Sequence, residues 1–419
     1  MTIINFNNKL SDIQPLTGLR FLAAFLVLIT HSLARLMSIP NTIPTWLKPF
    51  SHVSAEGMTL FFVLSGFVIH YNYANSIQVN KIAGIYRFFV ARFARLWPLY
   101  IFCFSLSLLI IAIRYQTLAH QYTTALPYFV ILLQSWFYFH IENKELLFQF
   151  GTMPSITWSI STEWFFYCCY PIICLFLLKN QKRFTVFLLI LFYCLFVISF
   201  IFILSIYQTK INSFAISIFG PLADINQNFN DSFFRWFIYY SPYTRISEFL
   251  LGCLVAEIYN QTVAVLPSQK EQWFGLLSAG FAIISIIILH YFMINIPTWD
   301  KFNLFANLQQ CFGFAPSFAI LIYCCSRYRN SITRILSHPL FVLGGETSYS
   351  IYLLHQIVIG AVVNATNHFI GFSIFKLLII LFCVFGLSII TYRFIEVPAR
   401  NVIRKWFLLP SQDTVSVRL

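Results

Sequence analysis

The residues best suited to chemistry in this sequence stand where they are most costly. The stretch "LTGLRFLAAFLVLITHS", residues 16–32, is an almost unbroken apolar helix with Arg20 near one end and His31 near the other. Eleven residues turn an α-helix about 20° past three full turns and raise it by about 16 Å, so both side chains share one face at different depths. Ionisable groups within a span usually face a bundle interior and mark a functional path. Snorkelling of Arg20, or capping by His31, would explain either residue alone; two on one face favour a shared path. A histidine titrating near neutrality suits removal of a proton from a hydroxyl nucleophile. A guanidinium suits a phosphate, whose oxygens it grips as a fork.

Other residues extend this pattern. Glu163, in "SITWSISTEWFFYCCYP", is expected to enter from the outer face at a depth close to that of His31. There it could fix the imidazole tautomer in the manner of a catalytic triad, or serve as a structural hydrogen-bond partner. Arg92 and Arg95 open "RFARLWPLY", where the following proline and aromatics pin them at a helix start. Positive loop topology alone would account for Arg87 and in part for these two. Arg245 and Glu248 stand three apart and can pair. His355, in "SYSIYLLHQIV", reads as a satisfied core histidine or as a wall of the path. Ser65 in "VLSGF" lacks a nucleophile-elbow context and is assigned to close helix packing beside Gly66. Direct transfer is then a simpler scheme than a serine acyl-enzyme. No glycine-rich phosphate loop and no histidine–glutamate metal signature is present, and the ten cysteines fall in apolar runs without ligand spacing.

The elements that must hold these groups are membrane helices. Of 419 residues 59% are hydrophobic and 10% charged, with mean hydropathy +0.75; a soluble domain carries about 25% charged residues. The 49 Phe, 22 Tyr and 9 Trp suit lipid-facing surfaces and interfacial belts. A net charge of +13 sits in short segments between apolar runs, which argues for membrane topology and against nucleic acid. Runs of about twenty residues predict spans at 15–36, 52–75, 88–114, 157–178, 183–206, 243–260, 273–293, 302–326, 344–366 and 371–394. The basic clusters at 81–95, 179–183, 326–334 and 399–405 all fall on the cytoplasmic side only if 123–140 is re-entrant or interfacial. The expectation is therefore an all-α polytopic bundle of about ten crossings with both termini cytoplasmic. It divides into a terminal segment 1–14, a membrane domain 15–398 and a tail 399–419. The polar N-terminus lacks a cleavage site, so the first span is expected to be retained.

These motifs together resemble the integral-membrane acyltransferase family 3, which includes O-acetyltransferases of bacterial surface glycans. "GLRFLAAFLVLITHS" is similar to the family's basic residue, ten-residue gap and histidine. "LFFVLSGFVI" (60–69), "RFFVARFARLWPLY" (87–100) and "TWSISTEWFFYCCYP" (157–171) resemble its second-span, third-span and Trp-Ser-x-x-x-Glu signatures. "YTRISEFLLGCLVA" (243–256), "GETSYSIYLLHQIV" (345–358) and "YRFIEVPAR" (392–400) resemble three later ones. The resemblance implies no bound cofactor but an acyl-CoA co-substrate, acetyl-CoA first, entering from the cytoplasm past Arg20, Arg92 and Arg95. It implies His31 as base, helped by Glu163, with Trp158, Ser159, Arg245 and His355 toward the acceptor, a sugar or glycolipid hydroxyl. Its setting would be a bacterial inner membrane, among membrane lipids. Many members carry Asp where this chain has Thr59, so Glu56 or Glu163 would replace that partner of His31. Some members also carry a fused esterase-like domain, and this chain is expected to act without one. A transporter without chemistry is the competing reading, but no inverted repeat with matched broken helices is legible. A scaffold would have little reason to align Arg20 with His31.

Overall fold

The computed structural model describes residues 13–37, 44–115, 120–178, 182–295, 304–366 and 373–408. Of the expected terminal segments, residues 1–12 and 409–419 lie outside the described residues. The first half holds α1 (Gln14–Met37), α2 (Ser54–Tyr115), α3 (His120–Val130), α4 (Thr152–Ile156), α5 (Trp158–Ile172), α6 (Arg183–Ile206), α7 (Gln208–Phe219) and the single turn α8 (Phe233–Arg235). The second holds α9 (Pro242–Thr262), α10 (Gln269–Asn295), α11 (Leu304–Gln310), α12 (Ala315–Arg327), α13 (Ser331–Leu336), α14 (Pro339–Glu346), α15 (Ser348–Ala365), α16 (Ser373–Thr391) and α17 (Val397–Phe407). Two short antiparallel strands, β1 (His140–Ile141) and β2 (Lys144–Glu145), set His140 opposite Glu145.

Local chemistry explains many of the boundaries. Proline stands in the first turn of α9, α12 and α14, where its missing N–H has no intrahelical partner to lose. Asn330 and Thr333 cap α13 reciprocally. Inside α2 the helix breaks once, at Lys81, whose φ of 41° lies in the left-handed region. The interval between the expected second and third spans is therefore helical on both sides of one residue. The expected span 302–326 is also broken: α11 and α12 are separated by a turn in which Phe312 has φ 68°.

Among the described residues, eight helical segments are long and apolar enough to cross a membrane, and the two arms of α2 fall within one of them. Helix α9 lies outside the eight and carries Arg245, Glu248 and Glu257. Helix α3 has 11 residues, about 16 Å, which is too short to cross. Only 17% of the apolar windows of α6 and α10 are buried against protein, leaving most of both for lipid.

Small residues draw the inner helices together. Gly66 on α2 lies against the Phe249 carbonyl of α9, and Gly252 on α9 lies against the Val63 carbonyl of α2, so a Cβ at either would strike backbone. Gly18 of α1 and Gly345 of α14 make similar approaches to Leu336 and Thr17. Close backbone packing of this kind is how helices associate in lipid, where no hydrophobic force separates them from the solvent. It presses α2 against α9, and α1 against Leu336 of α13 and against α14.

Candidate active site

Helix α1 brings Arg20 and His31 to two different sites. His31 is half-buried, and its Nδ1 lies 3.0 Å from Nε2 of the fully buried His355 on α15. The rings are near parallel, 12° apart with centroids at 5.1 Å. His355 Nδ1 lies 2.6 Å from the Tyr352 carbonyl oxygen, one turn back along α15.

That carbonyl can only accept, so it assigns the protons. His355 Nδ1–H donates to Tyr352, which leaves a lone pair on His355 Nε2. His31 Nδ1–H donates to that lone pair, and the lone pair of His31 is left on its own Nε2. The pair is thus a directed relay of two neutral imidazoles ending in a base. The Tyr352 hydroxyl accepts from Ser159 Oγ at 2.7 Å and donates to the Ile156 carbonyl at 2.6 Å. Ser159 therefore holds the residue whose carbonyl holds His355.

Arg20, Arg92 and Arg95 meet at a cavity of about 80 Å³, together with Ser65, Glu163 and Tyr349. Arg92 is buried; it donates to the Tyr73 hydroxyl at 2.8 Å, and its guanidinium lies 4.8 Å from the Tyr73 ring centre. Glu163 accepts from Ser65 Oγ at 2.7 Å. Three guanidinium groups against one carboxylate leave this cavity cationic, which fits an anionic ligand.

Two expectations need correction here. Glu163 does not lie beside His31 but lines the arginine cavity, where Ser65 donates to one of its oxygens. Glu56, the other candidate partner, is 2.7 Å from His290 Nδ1. The partner of His31 is His355, which the sequence reading left as a core histidine or a wall of the path. Thr59, at the departure from the family pattern, donates to Glu248 at 2.8 Å.

The remaining expected residues form a buried support. Arg245 pairs with Glu248 at 3.1 Å, as their spacing predicts, and also donates to the Gln310 carbonyl. Its guanidinium lies 5.0 Å from the Phe62 ring centre and 6.0 Å from that of Trp158. Glu248 also accepts from the Phe312 amide at 2.9 Å. The ion pair thus satisfies unwound backbone at the α11–α12 break, a need that lipid cannot meet. Trp158 packs on Tyr239 and Tyr240, with ring centres 5.0 and 5.4 Å away.

A second, larger groove of about 440 Å³ has in its wall His52, Ala55, Asn212, Arg235, Tyr239 and Gln310. It lies toward the His31 end of α1, because Thr30 donates to the carbonyl of Phe50, two residues before His52. Half of its wall comes from the polar interval between two expected spans, which carries no apolar run to signal it.

Comparison with known proteins gives this arrangement a lineage. The profile described as an acyltransferase domain matches residues 14–393. A protein of Staphylococcus aureus (strain COL), provisionally named an O-acetyltransferase, is 26% identical over 94% of this chain and 58% of its own length. A Bacillus subtilis (strain 168) protein, provisionally named a peptidoglycan O-acetyltransferase, is 26% identical over 82% of this chain and 50% of its own. The peptidoglycan O-acetyltransferase OatA of Listeria monocytogenes is 24% identical over 82% of this chain and 51% of its own. The chain thus spans little more than half the length of these curated relatives. No solved structure matches it.

Proposed function

The chain belongs to this acyltransferase-domain family, and from that premise we propose that it is a membrane O-acyltransferase moving an acyl group, acetyl first, from acyl-CoA to a hydroxyl of an envelope glycan or lipid-linked sugar. The names of its relatives support both the acetyl group and the glycan. The donor approaches from the cytoplasmic side of a bacterial inner membrane, with its phosphates toward Arg20, Arg92 and Arg95.

The observation that carries the proposal is the lone pair left on His31 Nε2 by the relay to His355 and the Tyr352 carbonyl. In the reaction this nitrogen takes the proton of the acceptor hydroxyl as its oxygen attacks the thioester carbon. A C–O bond forms, the C–S bond breaks, and the thiolate recovers the proton from His31 as free thiol. The cation that forms on His31 meanwhile keeps its Nδ1–H on the lone pair of His355, which steadies it without a carboxylate. General-base assistance of this kind is worth about 10²- to 10⁴-fold.

The test is transfer from labelled acetyl-CoA in membranes, combined with mass spectrometry of envelope glycans. Cells lacking the gene are expected to lose an acetyl mass that wild type restores and His31→Ala does not. Equal restoration by His31→Ala would remove the base assignment.

A further inference from the structure

The larger groove contains a feature that general acyl transfer does not require. Arg235 projects into it from the end of α8, held by three aromatic rings: its guanidinium carbon is 4.1 Å from the Tyr239 ring centre, 5.1 Å from Phe229 and 5.4 Å from Tyr240. Ser232 Oγ accepts from its backbone N–H at 3.2 Å, and a wide π-helical turn, Trp236–Tyr240, follows directly. Turns of this type are often kept at functional sites.

The side chain is thus fixed, yet no carboxylate pairs with it among the described residues. Among the described residues its buried Nε has no hydrogen-bond partner. Of the acids close to it in sequence, Asp231 accepts from Asn228, and Asp224 accepts from Asn212 and Asn226. Arg245 is the internal contrast, since it is stacked on aromatic rings in the same way but neutralised by Glu248.

Two further observations bear on what Arg235 could hold. The groove wall is rich in amide side chains, among them Gln208, Asn226, Asn307 and Gln309. Amides donate and accept at once, which suits the hydroxyls of a sugar. The groove also lies toward the His31 end of α1, away from the arginine cavity, where positive-inside topology gives no reason for an arginine.

We propose that this groove seats the acceptor and that Arg235 forks onto an anionic group of it, so the acceptor is an acidic glycan bearing carboxylate or phosphate, not a neutral one. The proposal rests on the acyltransferase reading for its chemistry, but binding by Arg235 can be measured without transfer.

The experiment uses the full chain in lipid nanodiscs and three labelled tetrasaccharides: neutral N-acetylglucosamine, the same chain carrying one phosphate, and galacturonic acid. Binding is measured without donor, and transfer is measured with acetyl-CoA. The wild type is expected to bind at least one acidic probe about 10- to 100-fold more tightly than the neutral one, the range of a charge-assisted hydrogen bond. Arg235→Gln should abolish that preference while keeping neutral-sugar binding, which also shows that the variant folds. Arg235→Lys should retain part of it. Which acidic probe wins separates carboxylate from phosphate. Equal binding of all three by wild type, or equal loss of all three in Arg235→Gln, would overturn the proposal. Arg235-dependent binding without any transfer would sustain the acidic site and remove the acyltransferase reading. Transfer that favours the neutral probe would do the reverse.

Discussion

The lone pair on His31 depends on a residue 324 positions away in the sequence and on one backbone carbonyl. Charge type was enough to gather Arg92 and Arg95 with Arg20 at one cavity, whereas the single path expected for Arg20 and His31 divides into two sites on α1. The partner was not legible. A carboxylate is the familiar companion of a catalytic imidazole, whereas a carbonyl acceptor leaves no side-chain signature at all. Glu163 and His355 should therefore separate kinetically. His355→Phe removes the acceptor of the His31 proton and should lower kcat by about 10²-fold or more with little change in the donor KM. Glu163→Gln alters the arginine cavity and should change the donor KM while leaving most of kcat. Steady-state transfer assays in membranes distinguish them. A kcat loss in Glu163→Gln as deep as that in His31→Ala would return Glu163 to the reacting atoms.

At the scale of elements, hydropathy read the long apolar helices, the buried α9 among them, and missed the short polar ones. The polar interval 207–242, which lies between two expected spans, folds into α7, α8 and the π turn that supply Asn212, Arg235 and Tyr239. The break at Lys81 carried no glycine or proline at that position to announce it. The β1–β2 hairpin hid a titratable group as well. Glu145 is fully buried with no cation paired to it among the described residues, and burial together with Asp231 holds its carboxyl well above the usual range. An acid whose pKa is raised by folding binds its proton more tightly in the native state, so stability falls as pH rises from its unfolded value of about 4.3 toward the folded one. Thermal unfolding in detergent should then show Glu145→Gln more stable than wild type at pH 8, with the gap narrowing toward pH 5. Parallel pH profiles for the two proteins would refute this.

For the whole molecule, composition and the count of apolar runs were sufficient to identify a helical membrane bundle, because lipid admits few other solutions. Sidedness is the part that remains to be measured. Epitope tags inserted after Lys182 and after Asn330 are expected to report the cytoplasm, and one after Asn226 the opposite face. A tag after Lys182 that reports the face of Asn226 would make 123–140 a full crossing. One consequence of α1 also belongs to this scale. Arg20 and His31 ride on a single unbroken helix, so the about 16 Å between them cannot stretch or shrink without unwinding it. On the proposed function, helix α1 would be a ruler laid along the donor, marked at the donor's anionic end by Arg20 and at its reacting carbon by His31. It gauges the arm between those marks and nothing beyond the second. The length of the transferred group must therefore be judged by some other part of the bundle, and exchanging one short acyl tail for another should leave the grip on the donor unchanged.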